Sequence, residues 1–512
     1  MYAGYYGQST RGSGSLFPAA GGRSLNVLGL SAGSSAAKAI LIECQREVAQ
    51  LSATGCSLED RLSQALLIAV AAWLCGGAVA ADSGRARPNI IFLLADDLRW
   101  DALGCTGNQL AQTPHIDSLA GGGTVFRNHF VTTSICCVSR ASLLSGQYAR
   151  RHGINSFSTP FSARALAQTY PLLLRAAGYR TGFIGKFGVS ERTPDSAFDY
   201  WRGFPGQGDY FAKGDPVHLT RKMGDQALEF LATTDARPFC LSVSYKAPHA
   251  QDNARREFPP DPRDEALFAN VRFPVPPTAQ EKYYFALPEF VQKSEGRVRW
   301  QRRFANADMY QQTVRDYHRL VAGIDREVGR LLADLRERGL ADKTVVVFSS
   351  DNGFFLGERG LAGKWLMYEP SIRVPLIVFD PGAPAAKPGR TVDAMTLNID
   401  VAPTLLDYAG LPLPPAMQGR SLRPLVRGQN ARWRKDWLYE HHTLPAIIPP
   451  SEGVRTERWK YLRWVGVTPA VEEVYDLKAD PLETTNLAAA PECRETLHDL
   501  RRRWSELRKE LE

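Results

Sequence analysis

Residues 88–97 read Pro88-Asn89-Ile90-Ile91-Phe92-Leu93-Leu94-Ala95-Asp96-Asp97. An unbroken apolar run between a Pro-Asn start and two carboxylates describes a strand buried on both faces. Such a strand belongs in the middle of a parallel sheet. A second run of the same kind, Thr344-Val345-Val346-Val347-Phe348-Ser349-Ser350, ends in Asp351-Asn352-Gly353. Open α/β sheets carry their sites beyond the carboxyl ends of the strands. An Asp pair there either caps a helix or holds a cation that offsets the repulsion between the carboxylates. Its repetition at two strand ends favours the cation. The oxygen side chains of Asp96, Asp97, Asp351 and Asn352, with no thiolate or imidazole required, suit a hard divalent ion, Ca²⁺ or Mg²⁺.

Around these strands the chain alternates strand and helix. Thr113 to Ala120 reads as a capped helix start with Pro114 at its first position, and His115 as a structural residue. Thr169 to Gly178 is a helix with a cap and a glycine stop. Tyr179 to Ile184 is a strand followed by Gly185-Lys186, and Phe239 to Tyr245 is a strand followed by Lys246-Ala247-Pro248-His249. Residues 250–305, rich in Pro and charge, read as a long surface excursion. Its Tyr283, Tyr284 and Trp300 serve either packing or contact with a sugar. Tyr310 to Arg338 is an amphipathic helix with Val321, Ile324, Val328, Leu331, Leu332 and Leu335 on its core face. Arg373 to Phe379 is a further strand, and the helix begun at Asn398 closes the large domain near Gly410.

The expected fold class is therefore α/β: a large central, mostly parallel sheet sandwiched by helices, over residues 88–412. A smaller C-terminal α+β domain follows over 413–512. In it Gly453 to Arg463 alternates as a strand, Glu473 to Leu477 forms another, and Leu497, Leu500, Trp504, Leu507 and Leu511 line a final helix.

The amino-terminal part differs. Residues 1–57 are rich in Gly, Ser and Ala without periodicity, and read as an extension outside the fold. Arg61, the apolar run Ala65 to Leu74 and Ala78-Val79-Ala80 describe a secretory signal over 58–80; the alternative is a buried helix over 62–74. The signal implies a periplasmic or secreted protein starting near Ala81, with no membrane span after processing. The chain has 512 residues, 44% of them hydrophobic, enough for a large core. Beyond the signal lie Cys105, Cys136, Cys137, Cys240 and Cys493, too scattered for a disulfide scaffold. A net charge of +8 suits a polyanionic substrate and is equally met by general surface charge, and no nucleic-acid motif is present.

Cys136-Cys137-Val138-Ser139-Arg140-Ala141-Ser142-Leu143-Leu144-Ser145-Gly146 puts a thiol where the free N–H groups of a helix start favour an anion. Arg140 returns to the same face one turn later. Read alone, the stretch is equally a small buried Cys ahead of a core helix. The longer run resembles the signature of the formylglycine-dependent sulfatases of the alkaline phosphatase superfamily, with Val138 in place of Pro. The resemblance continues in the family's order through Asn89 to Asp97, Gly185-Lys186, Lys246 to His249, Ser350 to Gly353, Lys364 with Met367-Tyr368-Glu369, and Tyr475 to Leu487.

That resemblance implies a sulfuric ester hydrolase acting on a sulfated carbohydrate such as a glycosaminoglycan or mucin. It implies that Cys136 is oxidised to formylglycine, the nucleophile, by a formylglycine-generating or anaerobic sulfatase-maturing enzyme. Asp96, Asp97, Asp351, Asn352 and the oxidised Cys136 become the Ca²⁺ ligands. Arg140 steadies the formylglycine, Lys186 and Lys364 clamp the sulfate, and His249 partners the leaving oxygen. Two further positions depart from the family: Gly188 and Arg359 stand where His is common. The first departure is similar to the N-acetylglucosamine-6-sulfatase-like branch, which points to a sulfated amino sugar. Two other readings are a phosphonate or phosphodiester hydrolase of the same superfamily, and a non-catalytic sulfated-glycan-binding protein with unconverted Cys136. Lys246 to His249 and Lys364 favour sulfate over the phosphorus substrates.

Overall fold

Every residue of Asn89–Asp96 (β1) is buried, as its unbroken apolar run requires. The computed structural model describes residues 87–233, 235–383 and 389–512. The expected extension and signal over 1–80 lie outside the described residues. After β1 come α1 (Pro114–Gly122), β2 (Thr124–Phe126), α2 (Cys136–Ser145), α3 (Tyr170–Ala176), β3 (Arg180–Lys186) and β4 (Tyr200–Phe204). Then follow α4 (Leu219–Ala232), β5 (Phe239–Pro248), α5 (Glu295–Arg303), α6 (Ala307–Glu337), β6 (Thr344–Ser350), β7 (Leu376–Phe379), β8 (Arg390–Val392) and α7 (Val401–Tyr408).

These strands form one eight-stranded sheet in the order β8-β2-β7-β6-β1-β5-β3-β4. β1 is parallel to both β5 and β6, and β3 is parallel to β5 and β4. Only β7 runs against its neighbours, β6 and β2. The sheet is thus mostly parallel, with helices on both faces. Because side chains alternate across a strand, Ile91, Leu93 and Ala95 join the core beneath α1, α4 and α6. Ile90, Phe92 and Leu94 join the core beneath α2, α3 and α7.

Several local expectations are corrected by long-range contacts. Thr113 does not cap α1; its hydroxyl accepts from Gly104 N at 2.9 Å. The cap comes instead from Asp325 on α6, which accepts from His115 N at 3.0 Å and Ile116 N at 2.7 Å. Thr169 likewise gives its hydroxyl to Leu166 O rather than to α3. α6 starts before Tyr310 because Asn306 accepts from Met309 N at 2.9 Å.

The small antiparallel sheet comprises β9 (Asp436–His441), β10 (Ser451–Thr456), β11 (Trp459–Trp464) and β12 (Glu472–Asp476), with α8 (Arg494–Glu510) packed on it. The stretch Gly453 to Arg463 is a hairpin rather than one strand. The Thr456 hydroxyl accepts from Arg458 N at 3.3 Å and Trp459 N at 2.8 Å, which folds the chain back on itself. Cys105, Cys136, Cys137, Cys240 and Cys493 are all free thiols. Among the described residues no helix is long and apolar enough to cross a membrane.

Asp400, fully buried at the start of α7, accepts from Arg434 at 2.5 and 2.7 Å and from Leu397 N and Arg420 N at 2.8 Å each. Asp400→Ala strands the Arg434 guanidinium, and a loss of about 3–5 kcal/mol is expected. Urea unfolding measures it; a loss below about 1 kcal/mol, as for surface pairs, contradicts this account.

Candidate active site

β1 and β6 run side by side with Ala95 opposite Ser350, so Asp96-Asp97 and Asp351-Asn352 leave the sheet together. Asp351 N donates to Ala95 O at 3.1 Å. Asp97 turns into the left-handed region at φ 66°, and its N–H donates to Asp351 Oδ1 at 3.2 Å. The amide of Asn352 reaches Asp97 Oδ1.

α2 enters this cluster by its first turn. Cys136 Sγ lies 3.3 Å from Asp96 Oδ1. One turn on, Arg140 donates from Nε to Asp351 Oδ2 at 2.8 Å and from Nη2 to Asp96 Oδ2 at 3.0 Å. Its Nη1 donates to Lys186 O at 2.7 Å and to the Ser244 hydroxyl. Lys186, at the end of β3, donates to Asp96 Oδ2 at 2.5 Å and to Gln207 Oε1 at 2.7 Å. Lys364 donates to Asp97 Oδ1 and, at 2.8 Å, to Cys136 Sγ. It sits between Gly363 at φ 97° and Trp365 at φ 81°, and the second is a strained conformation for a bulky residue. His249 gives Nδ1–H to Ala250 O at 2.6 Å, which leaves Nε2 facing Asp97 Oδ2 at 3.7 Å. The site residues named from the sequence are therefore brought to one place, all of them buried.

The electrostatics follow from burial. Burial opposes the charge on Asp96, but Lys186, Arg140 and Lys364 outweigh it and hold this carboxyl well below its ordinary range. Asp97 is pushed up to about 7 by burial, with Asp96 and Asp351 adding to the rise and Lys364 opposing it. Burial and Asp96 raise Asp351 as well. Burial also raises the Cys136 thiol, so it stays protonated. A divalent cation fits this donor set. Ligand atoms of Asp96, Asp97, Cys136 and His249 all lie within 4.8 Å of one another. Asn352 Oδ1 is buried with no hydrogen-bond partner, an orphaned acceptor that a cation satisfies.

Two contributors, Ser244 and Gln207, escaped the sequence reading, and a third, Lys246, stood in it only as part of a motif, without a role of its own. Ser244 receives Arg140 and donates to Lys186 O at 2.8 Å. Lys246, two residues on and hence on the same face of β5, is buried, and burial together with Lys186 pulls its pKa down to about 8. Gln207 comes from a glycine-rich turn that carries no catalytic pattern. Conversely, Tyr284 and Trp300 are engaged in packing: their rings flank the Arg297 guanidinium at 4.1 and 3.9 Å. Arg359 is stacked on Tyr368 at 4.4 Å and donates to Glu483 O.

Gly188 has a physical reason to lack a side chain. Its φ is +71°, and a Cβ there lies 2.6 Å from Arg140 Cδ. The space belongs to the arginine.

Residues 88–411 match the family model for sulfatases, and residues 357–510 match that for the C-terminal region of N-sulphoglucosamine sulphohydrolase. The chain belongs to the sulfatase family, within the alkaline phosphatase superfamily. It is a sulfatase, a hydrolase of sulfate esters. It is 32% identical over 496 residues to the N-acetylglucosamine-6-O-sulfatase of Bacteroides thetaiotaomicron, covering 83% of this chain and 87% of that protein. A solved structure in complex with its substrate D-glucosamine-2-N,6-O-disulfate superposes with a TM-score of 0.72 at 31% identity, covering 83% of this chain and 98% of the other. The phosphonate monoester hydrolase of Agrobacterium radiobacter shares the fold, with a TM-score of 0.69 at 22% identity over 83% of this chain and 96% of the other.

Gly188→Ala tests the packing. A left-handed alanine costs about 1–2 kcal/mol, and the displaced Arg140 releases Asp96 and Asp351. Turnover is expected to fall at least ~10-fold, more than the stability loss explains. Wild-type turnover in the variant contradicts the need for a glycine.

Proposed function

We propose that this protein removes sulfate from a sulfated amino sugar within a glycosaminoglycan, mucin or similar polysaccharide. It does so through formylglycine made from Cys136 and a divalent cation, Ca²⁺ or Mg²⁺, held by Asp96, Asp97, Asp351, Asn352 and the oxidised residue 136. The observation that carries the reading is the placement of Cys136. It lies at the start of α2, between Asp96 and the Lys364 ammonium, and is 1% exposed. A thiol that burial keeps protonated is a poor nucleophile, which favours the oxidised form.

Formylglycine supplies, once hydrated, a hydroxyl for attack on sulfur and a second hydroxyl through which sulfate is expelled. The cation supplies a fixed positive charge beside the reacting oxygens. The chain's own residues do the rest. Arg140, locked by Asp96 and Asp351, fixes the start of α2 against the strand ends. Lys186 and Lys364 direct ammonium groups into the space between the carboxylates and residue 136, where they stabilise charge on the sulfuryl oxygens. His249, its Nδ1–H bonded to Ala250 O, presents a bare Nε2, because burial and Lys364 hold the ring well below its ordinary pKa; it serves the leaving oxygen only after Nε2 has taken up a proton, which the leaving oxygen then receives. Burial of all these groups excludes bulk water.

The amino-sugar substrate is supported by the likeness to an N-acetylglucosamine-6-O-sulfatase and to a structure holding a glucosamine disulfate. The phosphonate reading rests on fold alone. The remaining proposals are a signal over 58–80, periplasmic or secreted location, a catalytic domain over 88–412, a small domain over 413–512, and partnership with a formylglycine-generating or anaerobic maturing enzyme. Turnover of N-acetylglucosamine-6-sulfate in a panel of sulfated sugars and phosphonate monoesters tests the substrate. Faster cleavage of the phosphonates overturns it.

Two further outcomes are expected. Made in a host that matures sulfatases, the Cys136 peptide carries the aldehyde mass, activity scales with the aldehyde fraction, and Cys136→Ala loses at least ~10³-fold in kcat. Fully active protein with only thiol at 136 contradicts the mechanism. Exhaustive chelation abolishes activity and lowers stability by about 2–4 kcal/mol, the gain a bound ion gives at 100- to 1,000-fold over its Kd. An unchanged melting temperature, with metal shown absent, counts against the cation.

A further inference from the structure

Gln207 is an exposed residue whose side chain ends in the buried site. Its Oε1 accepts from Lys186 Nζ at 2.7 Å, while Lys186 is itself 0% exposed. A residue that touches both solvent and a fully buried ammonium stands at the mouth of the site. The turn that carries it is built for this. Gly206 and Gly208 flank Gln207 at φ 62° and 64°, a conformation that disfavours any side chain. A Cβ on Gly208 also lies 2.5 Å from the Phe204 ring.

Both ends of the turn are pinned to the segments that carry the chemistry. On one side, Phe204 at the end of β4 pairs with Lys186 at the end of β3. On the other, Tyr210 is fully buried, donates its hydroxyl to His249 O at 2.7 Å and donates its N–H to Gln251 Oε1 at 3.0 Å. The Tyr210 ring also lies 5.1 Å from Lys246 Nζ. The position of Gln207 is thus set by Lys186 and His249 together.

An ammonium has three protons to give. Lys186 directs one to Asp96 Oδ2 and one to Gln207 Oε1. The carboxamide that accepts through Oε1 carries two further protons on Nε2, next to the ammonium. We propose that Gln207 is a substrate-positioning residue: Oε1 orients the Lys186 ammonium, and Nε2 donates to the sulfuryl group that takes the remaining proton of Lys186. This rests on the reading of Lys186 as a sulfate clamp. The chemistry selects an amide over its isosteric acid. A carboxylate at 207 holds Lys186 at least as well, yet it repels an incoming sulfate and has no proton to offer it.

The test is a set of Gln207→Ala, Gln207→Glu and Lys186→Ala, each in fully matured protein. The readouts are KM and kcat for N-acetylglucosamine-6-sulfate and the inhibition constant of inorganic sulfate. Gln207→Ala is expected to raise KM and the sulfate inhibition constant by about 10- to 100-fold, the worth of a hydrogen bond to a charged group. kcat changes less, and the melting temperature stays within 1–2 °C, about the shift for ±0.5 kcal/mol at a surface site. Gln207→Glu raises both constants further. If Gln207→Glu restores wild-type KM and sulfate inhibition, the residue only braces Lys186 and the proposal fails. If Lys186→Ala abolishes turnover while both Gln207 variants match wild type, the clamp stands and the role of Gln207 fails. If Lys186→Ala itself leaves KM and kcat unchanged, the clamp reading fails and the proposal with it.

Discussion

The Arg140 guanidinium is the contact on which the rest of the site depends. It bonds Asp351 after β6, Asp96 at the end of β1, Ser244 on β5 and the carbonyl of Lys186 on β3. Those four strands are consecutive in the sheet, in the order β6-β1-β5-β3. One side chain therefore braces four adjacent strand ends and fixes the first turn of α2 above them. Burying an ion among ions is costly unless every donor and acceptor is matched. Here Nε and both terminal nitrogens find acceptors, and the planar fork of arginine is what makes the match; a lysine supplies one point of contact in place of three. Gly188 belongs to the same constraint, since its missing Cβ is the space through which the arginine passes.

The small domain reaches the site from its edge: Ile448 shares a buried cluster with Ile135, Cys137, Val138 and Trp365. Tyr439 on β9 donates its hydroxyl to Trp365 O at 2.5 Å and accepts from Ser134 N at 3.4 Å. It thereby steadies the strained residue beside Lys364 and the approach to Cys136 at once. The Arg299 guanidinium, from the 250–305 excursion, covers the Trp365 ring from 5.0 Å. Strain of this kind, about 1–3 kcal/mol, persists only where the surroundings over-determine it. The antiparallel sheet and the excursion are the surroundings that do so.

How much of this was legible in the sequence depends on the range of the interaction. β1 and β6 were readable because burial on both faces leaves an unbroken apolar run, and their paired oxygen side chains follow directly. α6 and α8 were readable from helical spacing. Thr113 failed as a cap because Asp325, far along the chain, competes for the same N–H groups. The hairpin inside Gly453 to Arg463 was hidden because two short alternating strands joined by a tight turn keep much the same periodicity as one longer strand. Ser244 and Lys246 had a usable signal, since both stand two-residue steps before the Pro248-His249 end of β5. Gln207 had none: a glutamine between glycines says turn, and only the tertiary fold sets it on Lys186.

The charges explain why the groups around Cys136 need one another. Asp96, Asp97 and Asp351 face Arg140, Lys186 and Lys364, three carboxylates against three cations in a buried space. Arg140 is committed to holding the strand ends. Lys186 and Lys364 are turned onto Asp96 and Asp97, the two carboxylates that the proposed cation needs. Such an ion would compete with the ammonium groups for the same oxygens and so would weaken the hold on both lysines. The lysines would then be available to an anion, and the site would carry the excess positive charge that suits an anionic ester. Cation and sulfate are thereby expected to favour each other's binding through Asp96 and Asp97, and the coupling is reciprocal because both act on the same pair of ammonium groups.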